Sequence, residues 1–312
     1  MALHVRTPLL DSPVLSALSG TEVRLKMEAL QPPGSFKIRG IGHACETYAA
    51  EGARRFLSSS GGNAGIAAAH AGRRLGVPVT VVVPETTTGH ARRLIQQEGA
   101  ELIVHGASWQ EAHDHALSLL DDEARLIHPF DDPLLWHGHA TMIDEVAATG
   151  FVPDLVVVAV GGGGLLAGVA EGMARHGWRE TSVLAVETEG ADSYHRALEV
   201  GEPVRLPAIE SVATSLGARQ VCQRAVAVSG ALEVGSVVVS DADALRACLQ
   251  FLDDHRVLVE PACGAALAAI YQGGAAAFAG VRSTLVIVCG GATTTLDQLM
   301  AQLTAEVTAR PG

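Results

Sequence analysis

At 312 residues and 48% hydrophobic content, the chain is long enough to fill two modest cores that share a cleft. Charged residues make up only 18%, the formal net charge is −12 and Lys plus Arg total 22, which leaves no basic stripe for tracking phosphates along a nucleic acid. Five scattered cysteines without a C-x-x-C pair argue against a disulfide framework or a zinc site, and no run reaches the roughly 18 apolar residues of a membrane span, so a soluble, cytoplasmic protein with no membrane partner is expected.

In chain order, the N-terminal residues Met1 to Arg6 show no leader-like apolar run. The first distinctive element is Pro33-Gly34-Ser35-Phe36-Lys37-Ile38-Arg39-Gly40, which reads as a lysine held on a tight turn beside an aromatic ring. A lone lysine is ordinarily a solvated charge, so Lys37 gains meaning only from its company. From about Arg55 onward, short β-branched runs alternate with alanine-rich amphipathic segments, the pattern of an α/β protein built around parallel sheets. Strands are predicted at residues 56–59, 79–83, 102–104, 126–128, 155–160, 183–187 and 285–289. Helices are predicted at residues 63–75, 90–97, 109–120, 165–175, 242–254 and 263–271, several closed by a glycine. The stretch Asp131-Asp132-Pro133-Leu134-Leu135-Trp136 marks a domain crossing between the fourth and fifth strands.

Two further glycine-rich elements stand where a strand meets a helix. Ser58-Ser59-Ser60-Gly61-Gly62-Asn63-Ala64-Gly65 opens an alanine-rich helix, whose outward backbone N–H groups suit an anion; taken alone, a serine-capped helix behind a turn fits equally. Val160-Gly161-Gly162-Gly163-Gly164-Leu165 lets a backbone wrap a phosphate, although close helix-on-strand packing also calls for glycine. It lacks the Gly-Lys-Ser/Thr ending of a nucleotide P-loop. The pairs His113-x-His115 and His137-x-His139 invite a metal, but two-residue spacing on a helix turns the rings apart, so solvated or core histidines are expected.

A lysine followed far downstream by a glycine cup suits pyridoxal 5'-phosphate (PLP), which is tethered covalently at one end and by its phosphate at the other. The sequence resembles fold-type II PLP enzymes. The run Gly34-Ser35-Phe36-Lys37-Ile38-Arg39-Gly40-Ile41-Gly42-His43 is similar to catabolic L-serine/L-threonine dehydratases. The likeness extends from Thr7-Pro8-Leu9 through Pro129-Phe130-Asp131-Asp132-Pro133 and Val259-Glu260-Pro261-Ala262-Cys263-Gly264-Ala265-Ala266 to Val288-Cys289-Gly290-Gly291.

This resemblance implies two open, twisted, mostly parallel sheets flanked by helices, with the cofactor in the interdomain cleft. The large PLP-binding domain would comprise residues 1–38 and 133–312, and a small domain, 39–132, would carry the substrate-carboxylate loop. Lys37 would form the Schiff base, with Phe36 against one face of the ring. Ser60, Gly61, Gly62 and Asn63 would grip the substrate carboxylate, Asn63 also reaching the phenolic oxygen. Gly161, Gly162, Gly163, Gly164 and Leu165 would hold the phosphate, Ser215 would lie beneath the ring and Cys289 would face the pyridine nitrogen. A monovalent cation, K+ by the family pattern, would sit among backbone oxygens of Gly161, Glu187, Ala191, Leu216 and Ala218. A homodimer is implied as well.

Two positions depart from the family pattern: many serine dehydratases carry alanine at Gly61, and relatives often carry alanine at Ser215. The expected chemistry is dehydration and deamination of L-serine or L-threonine, Lys37 serving as general base with its proton affinity lowered by desolvation. The cofactor phosphate is the expected acid for the leaving hydroxyl, because no neighbouring motif offers a histidine or carboxylate. Alternatives are a serine racemase, an anabolic threonine dehydratase, a β-replacing synthase, or a weakly active PLP-binding carrier or sensor. Only 16 residues follow Leu296, too few for the appended regulatory domain of the anabolic type.

Overall fold

The structure is a computed structural model that describes residues 2–272 and 278–309. The chain begins with β1 (Leu9–Asp11), α1 (Pro13–Ser19), β2 (Glu22–Lys26) and α2 (Lys37–Ala50). It continues through β3 (Arg55–Ser58), α3 (Asn63–Leu75), β4 (Val79–Val83), α4 (Gly89–Gln97), β5 (Glu101–Val104), α5 (Trp109–Ser118) and β6 (Ala124–Leu126). After α6 (Pro133–Ala147) come β7 (Leu155–Ala159), α7 (Gly164–Arg175), β8 (Ser182–Thr188), α8 (Ser193–Val200), α9 (Gln223–Val228) and β9 (Val234–Val239). The last elements are α10 (Asp241–His255), α11 (Pro261–Tyr271), β10 (Ser283–Ile287) and α12 (Leu296–Ala309).

Six strands form one sheet in the order β1-β2-β10-β7-β8-β9, and four form a second in the order β5-β4-β3-β6. Every pairing is parallel except β1 with β2. Central strands such as β7, with five buried residues, read as continuous apolar runs because helices cover both faces. Among the described residues no helix is long and apolar enough to cross a membrane.

The seven predicted strands and six predicted helices are present within a few residues of their expected ends. The structure adds β1, β2 and β9, together with α1, α2, α6, α8, α9 and α12. β2 hid behind its charges: Lys26 is 1% exposed, yet its amine reaches Thr7 O at 2.8 Å and the Glu145 carboxylate. Lys37, expected within a tight turn, is instead the first residue of α2, the turn having ended at Phe36. The proposed crossing at residues 131–136 is largely a helix start. Asp132 caps α6 by accepting the Leu134 amide at 2.8 Å, and Pro133 occupies the first turn, where no amide is needed.

Candidate active site

The loops following β3, β7 and β10 meet at the carboxyl ends of their parallel strands, where open α/β sheets place ligand crevices. Gly34 turns with φ +80°, and a Cβ there would lie 2.8 Å from that of Ala292. The chain is then stitched to the end of β10: Gly34 O accepts the Gly291 amide at 2.8 Å, and Phe36 N–H donates to Cys289 O at 3.1 Å. Lys37 is thereby aimed into the crevice, its Nζ 2.6 Å from Pro129 O and 5.1 Å from the Phe36 ring centroid. Burial pulls its pKa from 10.5 down to about 8, against the weaker pull of Cys289 and Glu260. A substantial fraction of neutral amine therefore exists near neutral pH.

The segment that receives Lys37 is also the wall of the glycine cup. His128 braces it, Nδ1 accepting the Phe130 and Asp131 amides at 3.2 and 2.7 Å, while burial lowers the pKa of the ring. The Phe130 ring packs on Gly162, where a Cβ would come within 2.2 Å of it. Gly163 has φ +89°, and a Cβ there would lie 2.4 Å from that of Ala225. No acceptor is present among the described residues for the N–H groups of Gly162, Gly163 and Gly164, which open α7. Leu165 follows in the buried first turn. Free amides at the start of a helix, on a backbone packed too closely against Phe130 and Ala225 to carry side chains, suit a phosphate.

Across the crevice, the Ser60, Gly61, Gly62 and Asn63 loop leads into α3, with Gly62 at the N-cap. Gly61 faces Thr87, whose Oγ1 would lie 2.6 Å from an added Cβ. Asn63 is buried and held on both sides of its amide: Nδ2 donates to Glu260 Oε1 at 2.8 Å and to Ser215 Oγ at 3.4 Å, and Oδ1 accepts the Ala292 amide at 3.1 Å. Thr293 Oγ1 donates to the second Glu260 oxygen at 3.1 Å. Burial raises the Glu260 pKa, opposed by hydrogen bonds from Asn63, Ser215 and Thr293. Cys289 is 5% exposed; its hydrogen bond with the Cys263 thiol, then burial, holds it well above the usual thiol pKa.

The expected cation ligands fall in two groups, Gly161 with Leu216 and Ala218, and Glu187 with Ala191. A Cβ on Gly161 would lie 2.9 Å from Leu216 Cα, Ala218 N–H donates to Leu216 O at 2.7 Å, and Ala191 pairs with Thr188 next to Glu187. The Glu187 side chain, completely buried, accepts the Tyr194 and His195 amides at 2.9 and 2.6 Å. Burial pushes its pKa up to about 8.

One expectation needs correction. The site does have a neighbouring carboxylate and imidazole, Glu260 and His128, although neither was assigned a role from sequence. Glu260 stands 197 residues from Asn63, and only α11 and the crossing of the sheets bring them together. The signal available was Glu260 directly before Pro261, an acidic N-cap at the start of a wholly apolar helix. The histidine pairs do diverge. His115 stacks on His105 and His113 on Trp109; His137 contacts Glu171, whereas His139 is buried against Phe36. Among the described residues no cluster of His, Cys, Asp or Glu could hold a metal ion.

A half-buried amine of lowered pKa, reaching the segment that packs on a glycine-rich helix start at the carboxyl ends of mostly parallel sheets, fits a PLP enzyme of fold-type II. The chain belongs to the pyridoxal-phosphate dependent enzyme family, whose model matches residues 2–308. It is 49% identical over 306 residues to a serine dehydratase-like protein of Mus musculus, covering 95% of this chain and 93% of that one. It is 46% identical over 309 residues to the L-serine dehydratase/L-threonine deaminase of Bos taurus, covering 96% and 94%. Its fold superposes on an L-serine ammonia-lyase from Rhizomucor miehei with a TM-score of 0.90 at 33% identity, over 99% of both chains.

Proposed function

We propose that this protein is a lyase that removes water and ammonia from L-serine or L-threonine, yielding pyruvate or 2-oxobutanoate. The observation that carries this reading is the placement of the Lys37 amine 2.6 Å from Pro129 O, one residue before the phenylalanine that walls the glycine cup. The names of the mouse, bovine and fungal relatives support the substrate class.

Bound there, PLP supplies an electron sink for the pair left behind when a Cα proton is lost. The free amides of Gly162, Gly163 and Gly164 would anchor its phosphate, with Gly161 and Leu165 flanking them, and Phe36 and Ser215 would enclose its ring. Cys289, held as a neutral thiol, would serve as the partner of its ring nitrogen. Ser60, Gly61, Gly62 and Asn63 hold the substrate carboxylate, and Glu260 fixes the Asn63 amide in orientation. Lys37, with its amine neutral, takes the Cα proton. Backbone oxygens of Gly161, Glu187, Ala191, Leu216 and Ala218 would hold a monovalent cation, K+ by preference, beside the glycine loop.

Residues 1–38 with 133–312 act as the cofactor domain and 39–132 as the substrate-loop domain, the first boundary falling in the first turn of α2. The five unpaired cysteines suit a reducing cytosol, and a homodimer is the proposed assembly. The test is the absorbance spectrum of the purified protein, followed by keto-acid detection with L-serine and L-threonine, with and without potassium. Lys37→Ala is expected to abolish both a borohydride-trapped adduct and turnover. A Lys37→Ala protein with parental turnover, or chiral analysis showing D-serine as the main product, would overturn the proposal.

A further inference from the structure

Helix α6 lies between the two helices that start at opposite ends of the proposed cofactor crevice: α2 begins at Lys37 and α7 at the glycine cup. Glycines draw the three together. A Cβ on Gly138 of α6 would lie 2.4 Å from Arg39 O, and one on Gly40 of α2 would lie 2.5 Å from Leu135 O. One on Gly168 of α7 would lie 2.4 Å from His139 Cβ. The room left by Gly40 is taken by the His139 ring and that left by Gly168 by its Cβ, and the residue is completely buried.

The ring makes two contacts toward the site. Its Nδ1 accepts the Gly40 amide at 3.2 Å, and its centroid lies 4.9 Å from that of Phe36 at a 58° tilt. Helix α2 has no cap of its own, because Phe36 stands at the N-cap without a capping hydrogen bond. His139 therefore supplies, from 99 residues away, an acceptor for an amide in the first turn of the lysine-bearing helix. With Nδ1 accepting, the proton sits on Nε2, which is buried without a partner among the described residues. An apolar side chain would fill the same room and avoid that unpaired N–H, but it would strand the Gly40 amide. Burial, then the charges of Lys37 and Arg39, hold the imidazole well below its usual pKa, so it remains a neutral acceptor.

We propose that His139 is a positioning residue of the cofactor site, fixing the start of the Lys37 helix through the Gly40 amide and the tilt of the Phe36 ring through its own. This rests on the assignment of Lys37 and Phe36 as cofactor residues. The test uses apoprotein, PLP titrated by absorbance, and the rate of the borohydride-trapped adduct on Lys37 measured by mass. His139→Leu, which neither accepts nor stacks, is expected to weaken PLP affinity and slow adduct formation by about tenfold each, the scale of one buried amide losing its acceptor. His139→Gln, which accepts but does not stack, is expected to recover the adduct rate to within about threefold while affinity stays about threefold weak.

A folded His139→Leu protein with parental affinity and rate overturns the positioning role, as does a His139→Gln protein no faster than His139→Leu. If His139→Leu does not fold, His139→Gln decides alone: weakened affinity at an unchanged thermal midpoint supports the role, and parental affinity overturns it. A parent protein that forms no adduct on Lys37 overturns the underlying cofactor assignment as well, which separates the two failures.

Discussion

Lys37 places a cation in a half-buried crevice, and the consequence is a pKa near 8 instead of 10.5. The rate at which apoprotein captures PLP is expected to rise with pH and reach half its maximum near pH 8; a midpoint above pH 10 would place the amine in solvent. Folding stability carries the same signature. Between about pH 8 and 10.5 the unfolded chain binds the extra proton, so this group's contribution increases as pH rises through that window, and Lys37→Met removes the slope. Glu187 acts in the opposite sense. Its folded pKa near 8 lies above 4.5, so the native state holds the extra proton between those values and stability falls as pH rises through them. Denaturation of the cation-free protein at pH 5 and pH 8, compared with Glu187→Gln, measures this difference. At Glu260, replacement by alanine strands the Asn63 amide and is expected to weaken substrate binding by about 1–3 kcal/mol, read as a raised KM, whereas Glu260→Gln retains an acceptor. Lys37 was legible in sequence because a motif surrounds it. Glu260 was not, because its meaning comes from Asn63, a partner 197 residues away at the start of α3.

At the scale of elements, glycines set how closely backbones approach. Gly138 and Gly40 let α6 and α2 pack against each other, and Gly138→Ala should destabilise the fold by about 1–3 kcal/mol in a denaturant titration. Gly61 stands opposite Thr87, so Gly61→Ala alone is expected to disturb the loop and raise KM. Adding Thr87→Ala, which removes the Oγ1 and the methyl 2.6 and 2.8 Å from the new Cβ, should restore much of the loss, a non-additivity that a double-mutant cycle measures. Strict additivity would mean that the two residues do not meet. The strands and helices from Arg55 onward were legible through their period and caps, because buried parallel strands are continuous apolar runs. β2 and α2 were not. Their charged residues Lys26 and Arg39 interrupt any apolar pattern, yet both are buried in one ion network.

That network belongs to the whole molecule. Arg39 of α2 bonds Glu28 at 2.7 and 2.8 Å and Glu145 of α6 at 2.8 and 2.9 Å, and Glu145 also receives Lys26 of β2. Thr7 joins through Glu28 at 2.6 Å, so the N-terminal segment, the lysine helix and α6 close around charges that have left water together. Removing one member, as in Arg39→Ala, leaves buried carboxylates uncompensated and should cost about 3–5 kcal/mol, checked by equilibrium denaturation at low and high salt.

The sequence by itself determined the α/β class and marked Lys37 and the two glycine-rich loops as candidates, since each is written in contiguous residues whose backbone needs are local. Tertiary structure decided what those parts share. Asn63 was given its orienting carboxylate, Lys37 its half-buried crevice and lowered pKa, and the lysine helix its distant histidine acceptor. Desolvation and long-range hydrogen bonds depend on which surfaces meet, and no local spacing encodes that.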